Sequence, residues 1–152
     1  MPEPAKQTEL LPAWHVFPFR VPLFEVDLGH AVYHGNYFHL FELAREAFLR
    51  DLGYPYRRFM EHQLHLTIVD VSCTYRRPLH YDDLIEIHTA VLGWGRRSMA
   101  LSQAVFRTGD SKAPALCTQA TINMVCVRFS GQPTTLPEPF TGLLKQHPLA
   151  PR

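Results

Sequence analysis

The chain has 152 residues, enough for one domain that buries roughly 70% of the surface its unfolded form exposes, so a core needs no disulfide or structural metal. The composition is that of a globular protein, 46% hydrophobic and 19% charged, and a net charge of +1 excludes a global electrostatic drive toward nucleic acid or an acidic membrane. The three cysteines, Cys73, Cys117 and Cys126, match neither a zinc site nor a Cys-x-x-Cys pair and read as buried thiols of a reducing compartment.

Residues 1–15 read as a loose N-terminal arm containing Pro2, Pro4 and Pro12, residues 16–145 as a single domain, and residues 146–152 as a tail. Residues 1–20 lack an apolar stretch behind basic residues, and no segment approaches the roughly 20 apolar residues that span a bilayer. The expected location is the cytoplasm.

Val16–Val26 is rich in Val and Phe and predicts a first strand, with Pro18 and Pro22 marking it as an edge or irregular one. A loop follows from Asp27 to Gly35. Asn36 is placed as an N-cap, and Tyr37, Leu40, Phe41, Ala44 and Phe48 recur at helical spacing to form one apolar face. Glu46 stands four residues before Arg50 on the polar side, and Gly53 and Pro55 stop the helix at Leu52. Pro55–Gln63 suits a second short helix or an irregular crossing.

The remainder alternates as β-structure. Val69, Val71, Cys73 and Tyr75 alternate with polar residues in a strand from Leu64 to Tyr75. Leu84–Leu92 and Ser98–Arg107 form a hairpin around a turn at Gly93–Arg96. A turn at Thr108–Ser111 leads to a last strand, Ala115–Phe129. A short helical turn ends near Leu144. Strand, long helix, then four strands in antiparallel succession make an α+β fold, in which one sheet can bury the helix's apolar stripe.

The loop Asp27-Leu28-Gly29-His30-Ala31-Val32-Tyr33-His34-Gly35-Asn36 carries the chemistry. A carboxylate, His30 and His34, and two glycines precede a helix whose first N–H groups are unpaired and partly positive. Those groups suit the developing oxyanion of a carbonyl, and Asp27 suits attack or activation of water. An Asp after a strand is also an ordinary turn residue, and His30 an ordinary surface one. Metal is the weaker reading for His30 and His34, because a four-residue spacing converges only on a helix and the glycines argue against one; none is assigned. There is no Gly-x-Ser-x-Gly elbow and no phosphate loop.

Asp27-x-x-x-x-Val32-Tyr33-His34-x-Asn36-Tyr37, then Phe41-Glu42-x-Ala44-Arg45, resembles the signature of the 4-hydroxybenzoyl-CoA thioesterase family, in the style of its YbgC-like acyl-CoA thioesterases. The likeness continues through Tyr75-x-Arg77-Pro78-Leu79-x-Tyr81-Asp82-Asp83, Arg96-Arg97-Ser98 and Leu136-Pro137-Glu138-Pro139. It implies a hotdog fold, a five-stranded antiparallel sheet wrapped around one long central helix. It also implies a homodimer or homotetramer with the active site at the dimer interface. Asp27 falls on the family's nucleophile or general base, and His34 and Gly35 on the oxyanion-hole turn. Arg96 and Arg97 fall on the hairpin that meets CoA phosphates, with Asn36 and Tyr37 as further substrate contacts. The substrate would be an acyl-CoA, with no cofactor beyond the CoA it carries.

Leu23 and His30 depart from the pattern, which has an aromatic hydroxyl four residues before the Asp and a glycine three after it. Asp82 and Asp83 also suit plain turn chemistry, and Arg96 and Arg97 a solvated turn. Phe17, Phe19, Phe24, Tyr37 and Phe41 suit either an acyl pocket or the core. The alternatives are a thioesterase acting on acyl carrier protein, and a non-catalytic binder of acyl thioesters; a dehydratase on the same fold is a weaker one.

Overall fold

The computed structural model describes residues 10–109 and 113–151. Most of the expected N-terminal arm, part of the Thr108–Ser111 turn and the end of the tail therefore lie outside the described residues.

The elements in chain order are β1 (His15–Arg20), α1 (Tyr37–Leu52), α2 (Tyr56–Glu61), β2 (Leu64–Tyr75), β3 (Leu84–Trp94), β4 (Ser98–Arg107), β5 (Ala115–Arg128) and α3 (Glu138–Gln146), with 3-10 turns at Leu23–Glu25 and His34–Asn36. All strands join one antiparallel sheet in the order β1-β3-β4-β5-β2. The expected α+β sheet is present. The succession is corrected: β2 crosses to the far edge and pairs with β5, not with β3. β1 and β2 are thus the two edges.

The apolar stripe of α1 behaves as its spacing predicts. Tyr37, Leu40, Phe41, Ala44 and Phe48 are all buried. They meet inward series from the sheet, such as Ile85, Ile87, Thr89 and Val91 on β3 and Met99, Leu101, Gln103 and Val105 on β4. At ~25 cal/mol per Å² of apolar surface, this interface is the main source of stability. Gly53 ends α1 at φ 100°, where a side chain is strained, and returns its N–H to the Arg50 and Leu49 carbonyls. Beyond it the rings of Tyr54, Phe59 and Phe140 cluster at 4.8–5.4 Å and fasten α3 to the end of the core.

Several expected boundaries move for identifiable reasons. β1 ends at Arg20, not Val26, because the chain turns inward at Val21, which exchanges backbone hydrogen bonds with Asp82 and Asp83. Val69 sits in a bulge between Ile68 and Asp70, so it is 59% exposed instead of sharing a face with Val71 and Cys73. Gly93 and Trp94, expected in the turn, belong to β3 through another bulge. Glu46 forms no ion pair with Arg50 among the described residues. Of the aromatic residues, Tyr37 and Phe41 join the core, Phe17 and Phe19 pack against it, and Phe24 is exposed.

Phe41 is wholly buried at the centre of the helix–sheet interface. Phe41→Ala is expected to cost about 3–5 kcal/mol, read as a lower urea midpoint.

Candidate active site

The Asp27 loop is tight. Val26 and Val32 pair across its neck, Asp27 N–H donates to the Ala31 carbonyl at 3.0 Å, and Ala31 bridges to His80. His30 takes the left-handed conformation at φ 66°. The exposed Asp27 carboxylate accepts the Gly29 N–H on Oδ1 at 2.7 Å, a side-chain turn that fixes its direction. Asp82 and Asp83 fill the turn role: Asp82 pairs with Arg20, and Asp83 accepts the His80 N–H at 2.8 Å.

Three residues beyond Ala31 the chain enters the 3-10 turn His34–Asn36, which runs directly into α1. Asn36 does not cap the helix, contrary to expectation. Its backbone is already helical, and its Nδ2 donates instead to the Glu25 carbonyl at 3.1 Å. Asn36 N–H donates to the Tyr33 carbonyl, whereas the N–H groups of His34 and Gly35 find no acceptor among the described residues. The helix head therefore presents unpaired donors beside the acidic loop.

Two residues hold this arrangement: Glu25, which the sequence reading passed over, and Tyr75, which it took as a strand residue within the family likeness. Glu25 is 3% exposed. Its carbonyl also accepts the Tyr33 N–H, and its carboxylate oxygens lie 3.1 and 3.2 Å from His39 Nδ1. One buried acid thus ties the loop, the 3-10 turn and the first turn of α1. A lone carboxylate inside an apolar run was the available signal. Tyr75, the last residue of β2, donates its hydroxyl to the His34 carbonyl at 2.8 Å, with its ring edge-on to Tyr37 at 5.1 Å. A cleft of about 300 Å³ opens here, lined by Val32, His34, Tyr37, Tyr75, Arg76, Arg77 and Pro78.

A larger cleft, about 460 Å³, lies between α1 and strands β2, β4 and β5. Arg45 enters it and donates Nη1 to Gln103 Oε1 at 3.1 Å; Gln103 Nε2 is in turn anchored on the Phe41 carbonyl and Thr89 Oγ1. Burial lowers the pKa of Arg45, against the opposing fields of Glu42, Tyr56 and Glu46. Gln103 and Thr89 occupy inward positions of otherwise apolar strands, a pattern visible in the sequence once strand parity is followed.

Asp27 lies on the loop whose neck leads into the turn that carries His34, Gly35 and Asn36 and into Tyr37 at the start of α1, and His34 and Tyr37 line the cleft there. Arg96 and Arg97 are not with them. Both are exposed in the β3–β4 turn, and the Arg97 carbonyl accepts the N–H of Cys126, whose partner on β2 is Leu66. From Leu66 to Tyr75 β2 covers about 30 Å, at ~3.3 Å per residue. Within one chain the hairpin arginines and the acidic loop stand at opposite ends of the sheet.

A five-stranded antiparallel sheet closed over one long helix is the hotdog architecture. The profile of the thioesterase-like superfamily matches residues 21–144, and the chain belongs to that family: it is a thioester hydrolase. It is similar to the acyl-CoA thioesterase YbgC of Haemophilus influenzae, 30% identical over 112 residues, covering 73% of this chain and 79% of that one. It is also similar to the acyl-CoA thioester hydrolase YbgC of Escherichia coli O157:H7, 26% identical over 131 residues, covering 86% and 95%. The crystal structure of a 4-hydroxybenzoyl-CoA thioesterase with 4-hydroxybenzoyl-CoA shares the fold, with a TM-score of 0.78, 21% identity, and coverage of 85% of this chain and 96% of that one. Among the described residues no helix is long and apolar enough to cross a membrane.

Partial burial, then the neighbouring Cys73 and Tyr37, pushes the Tyr75 hydroxyl up from 10.0 to about 12. A phenol with a raised folded pKa favours the fold below the unfolded value and loses that contribution as pH rises through about 10 to 12. Burial raises Tyr37, Tyr54 and Tyr56 as well, so absorbance titration of tyrosinate is expected to show several late-titrating phenols, of which Tyr75→Phe removes one, and the variant's stability should fall less steeply across that window.

Proposed function

We propose that this chain hydrolyses acyl-CoA thioesters to the free acid and CoA, at a site completed by a second copy of itself. The observation that carries the reading is the pair of unpaired N–H groups on His34 and Gly35, at the head of α1 and beside the exposed carboxylate of Asp27. Donors fixed in that way stabilise the negative charge that develops on a thioester carbonyl oxygen. Asp27 then acts as nucleophile or as the base for water, with the His34 side chain assisting. CoA leaves as a thiolate, which needs no strong acid, and the reaction calls for no cofactor. The three free thiols suit a cytoplasmic protein.

The second copy follows from the exposed surface and from the separation of the arginines. Leu28 at the tip of the acidic loop is 100% exposed, Phe24 80%, and Ile68 and Val69 project from the edge strand β2. Exposed apolar side chains on a proline-free edge strand and on the loop tip suit an interface. A two-fold axis that pairs β2 with its own copy makes the strands antiparallel. The Leu64 end of one then lies beside the Tyr75 end of the other, and the partner's Arg96–Arg97 turn approaches the Asp27 loop to meet the phosphates of CoA. Tyr37 forms part of the floor of the cleft at the helix head, and Asn36 holds that head through Glu25. Whether two such dimers join as a tetramer is decided by solution mass.

Thiol release from a panel of acyl-CoA esters tests the reading. Asp27→Asn is expected to lower kcat by at least about a hundredfold. A protein that binds acyl-CoA without cleaving it would instead be a binder, and one that cleaves only carrier-protein esters would have that partner. Mixing inactive Asp27→Asn chains with Arg96→Ala/Arg97→Ala chains is expected to restore activity, since the mixed dimer holds one intact site. No recovery on mixing would mean that the partner's arginines do not serve the Asp27 site and would remove the dimer argument.

A further inference from the structure

We propose that Tyr75 is a positioning residue for the reaction, one that aims and strengthens the Gly35 N–H; this rests on the thioesterase reading above. The Tyr75 hydroxyl donates to the His34 carbonyl at 2.8 Å. That carbonyl and the Gly35 N–H belong to one peptide unit. The chain has no cis peptide bond among the described residues, and in a planar trans unit the C=O and N–H point in opposite directions. Fixing the carbonyl from the β2 side therefore fixes the N–H on the other side, where it meets no acceptor among the described residues.

The same hydrogen bond polarises the amide. An acceptor bond at the carbonyl draws charge from the N–H and makes it a better donor, as in any hydrogen-bonded chain. The Tyr75 ring has little freedom to swing away, being edge-on to Tyr37 at 5.1 Å and to His34 at 6.5 Å. Its hydroxyl stays protonated across the neutral range, so it remains a donor there. Gly35 contributes by its lack of a side chain: a Cβ there would stand 3.0 Å from the Tyr33 ring. The donor turn is thus gripped from two directions, by Glu25 through Tyr33 and Asn36 and by Tyr75 through His34.

Tyr75→Phe keeps the ring and removes the hydroxyl. The expected result is a kcat about tenfold lower with KM changed less than twofold, since the donor matters most when charge has developed on the oxygen. In an amide correlation spectrum the Gly35 proton should move upfield, reporting a weaker donor without reference to activity. An unchanged kcat, a loss carried by KM alone, or an unmoved Gly35 resonance in the folded variant overturns the proposal. Wild type silent toward every ester removes the thioesterase reading and this role together; full turnover by Tyr75→Phe removes this role alone.

Discussion

A helix cannot satisfy the N–H groups of its own first turn, and this fold is arranged around that deficit. The apolar stripe of α1 is buried so completely that the helix has one position relative to the sheet. Its head is therefore fixed as well. Most helices close that end with a capping side chain. Here the helical run begins with the 3-10 turn, Tyr33 stands at its cap position and makes no capping bond, and the donors of His34 and Gly35 remain unpaired among the described residues. Burial supplies the rigidity, and the absent cap supplies the chemistry.

The fold was legible because its pattern is redundant. The 3.6-residue period of α1 and the parity of β3 and β4 each predict the buried set independently, and Gly53 marks the helix end. Pairing order was less legible, since β2 and β3 adjoin in sequence but not in space. Nothing local distinguishes a neighbour on β5 from one on β3. The bulge at Val69 was hidden for a related reason: an extra residue shifts the parity only when the partner strand is known.

At the site, residue types were visible and connections were not. Asp27, His34 and Gly35 stand in one short segment, so their proximity is read directly. Tyr75 lies 41 residues from His34 and Gln103 58 residues from Arg45, and both contacts exist only because the sheet brings distant segments together. Glu25 carried a signal, a charge among Val and Phe, but its ties to Tyr33, Asn36 and His39 depend on the way the chain folds back at the loop neck.

The two edges of the sheet are chemically unequal. β1 carries Pro18, paired with Glu86 on its inner side, and proline has no N–H to offer a newcomer on its outer side. β2 runs for 12 residues without a proline. A sheet that accepts strands on both flanks can add copies head to tail and grow as a filament. One that accepts them on a single flank comes to rest after one addition, because the second copy turns its own blocked flank outward. Pro18 thereby leaves the outer flank of β1 one donor short for any added strand.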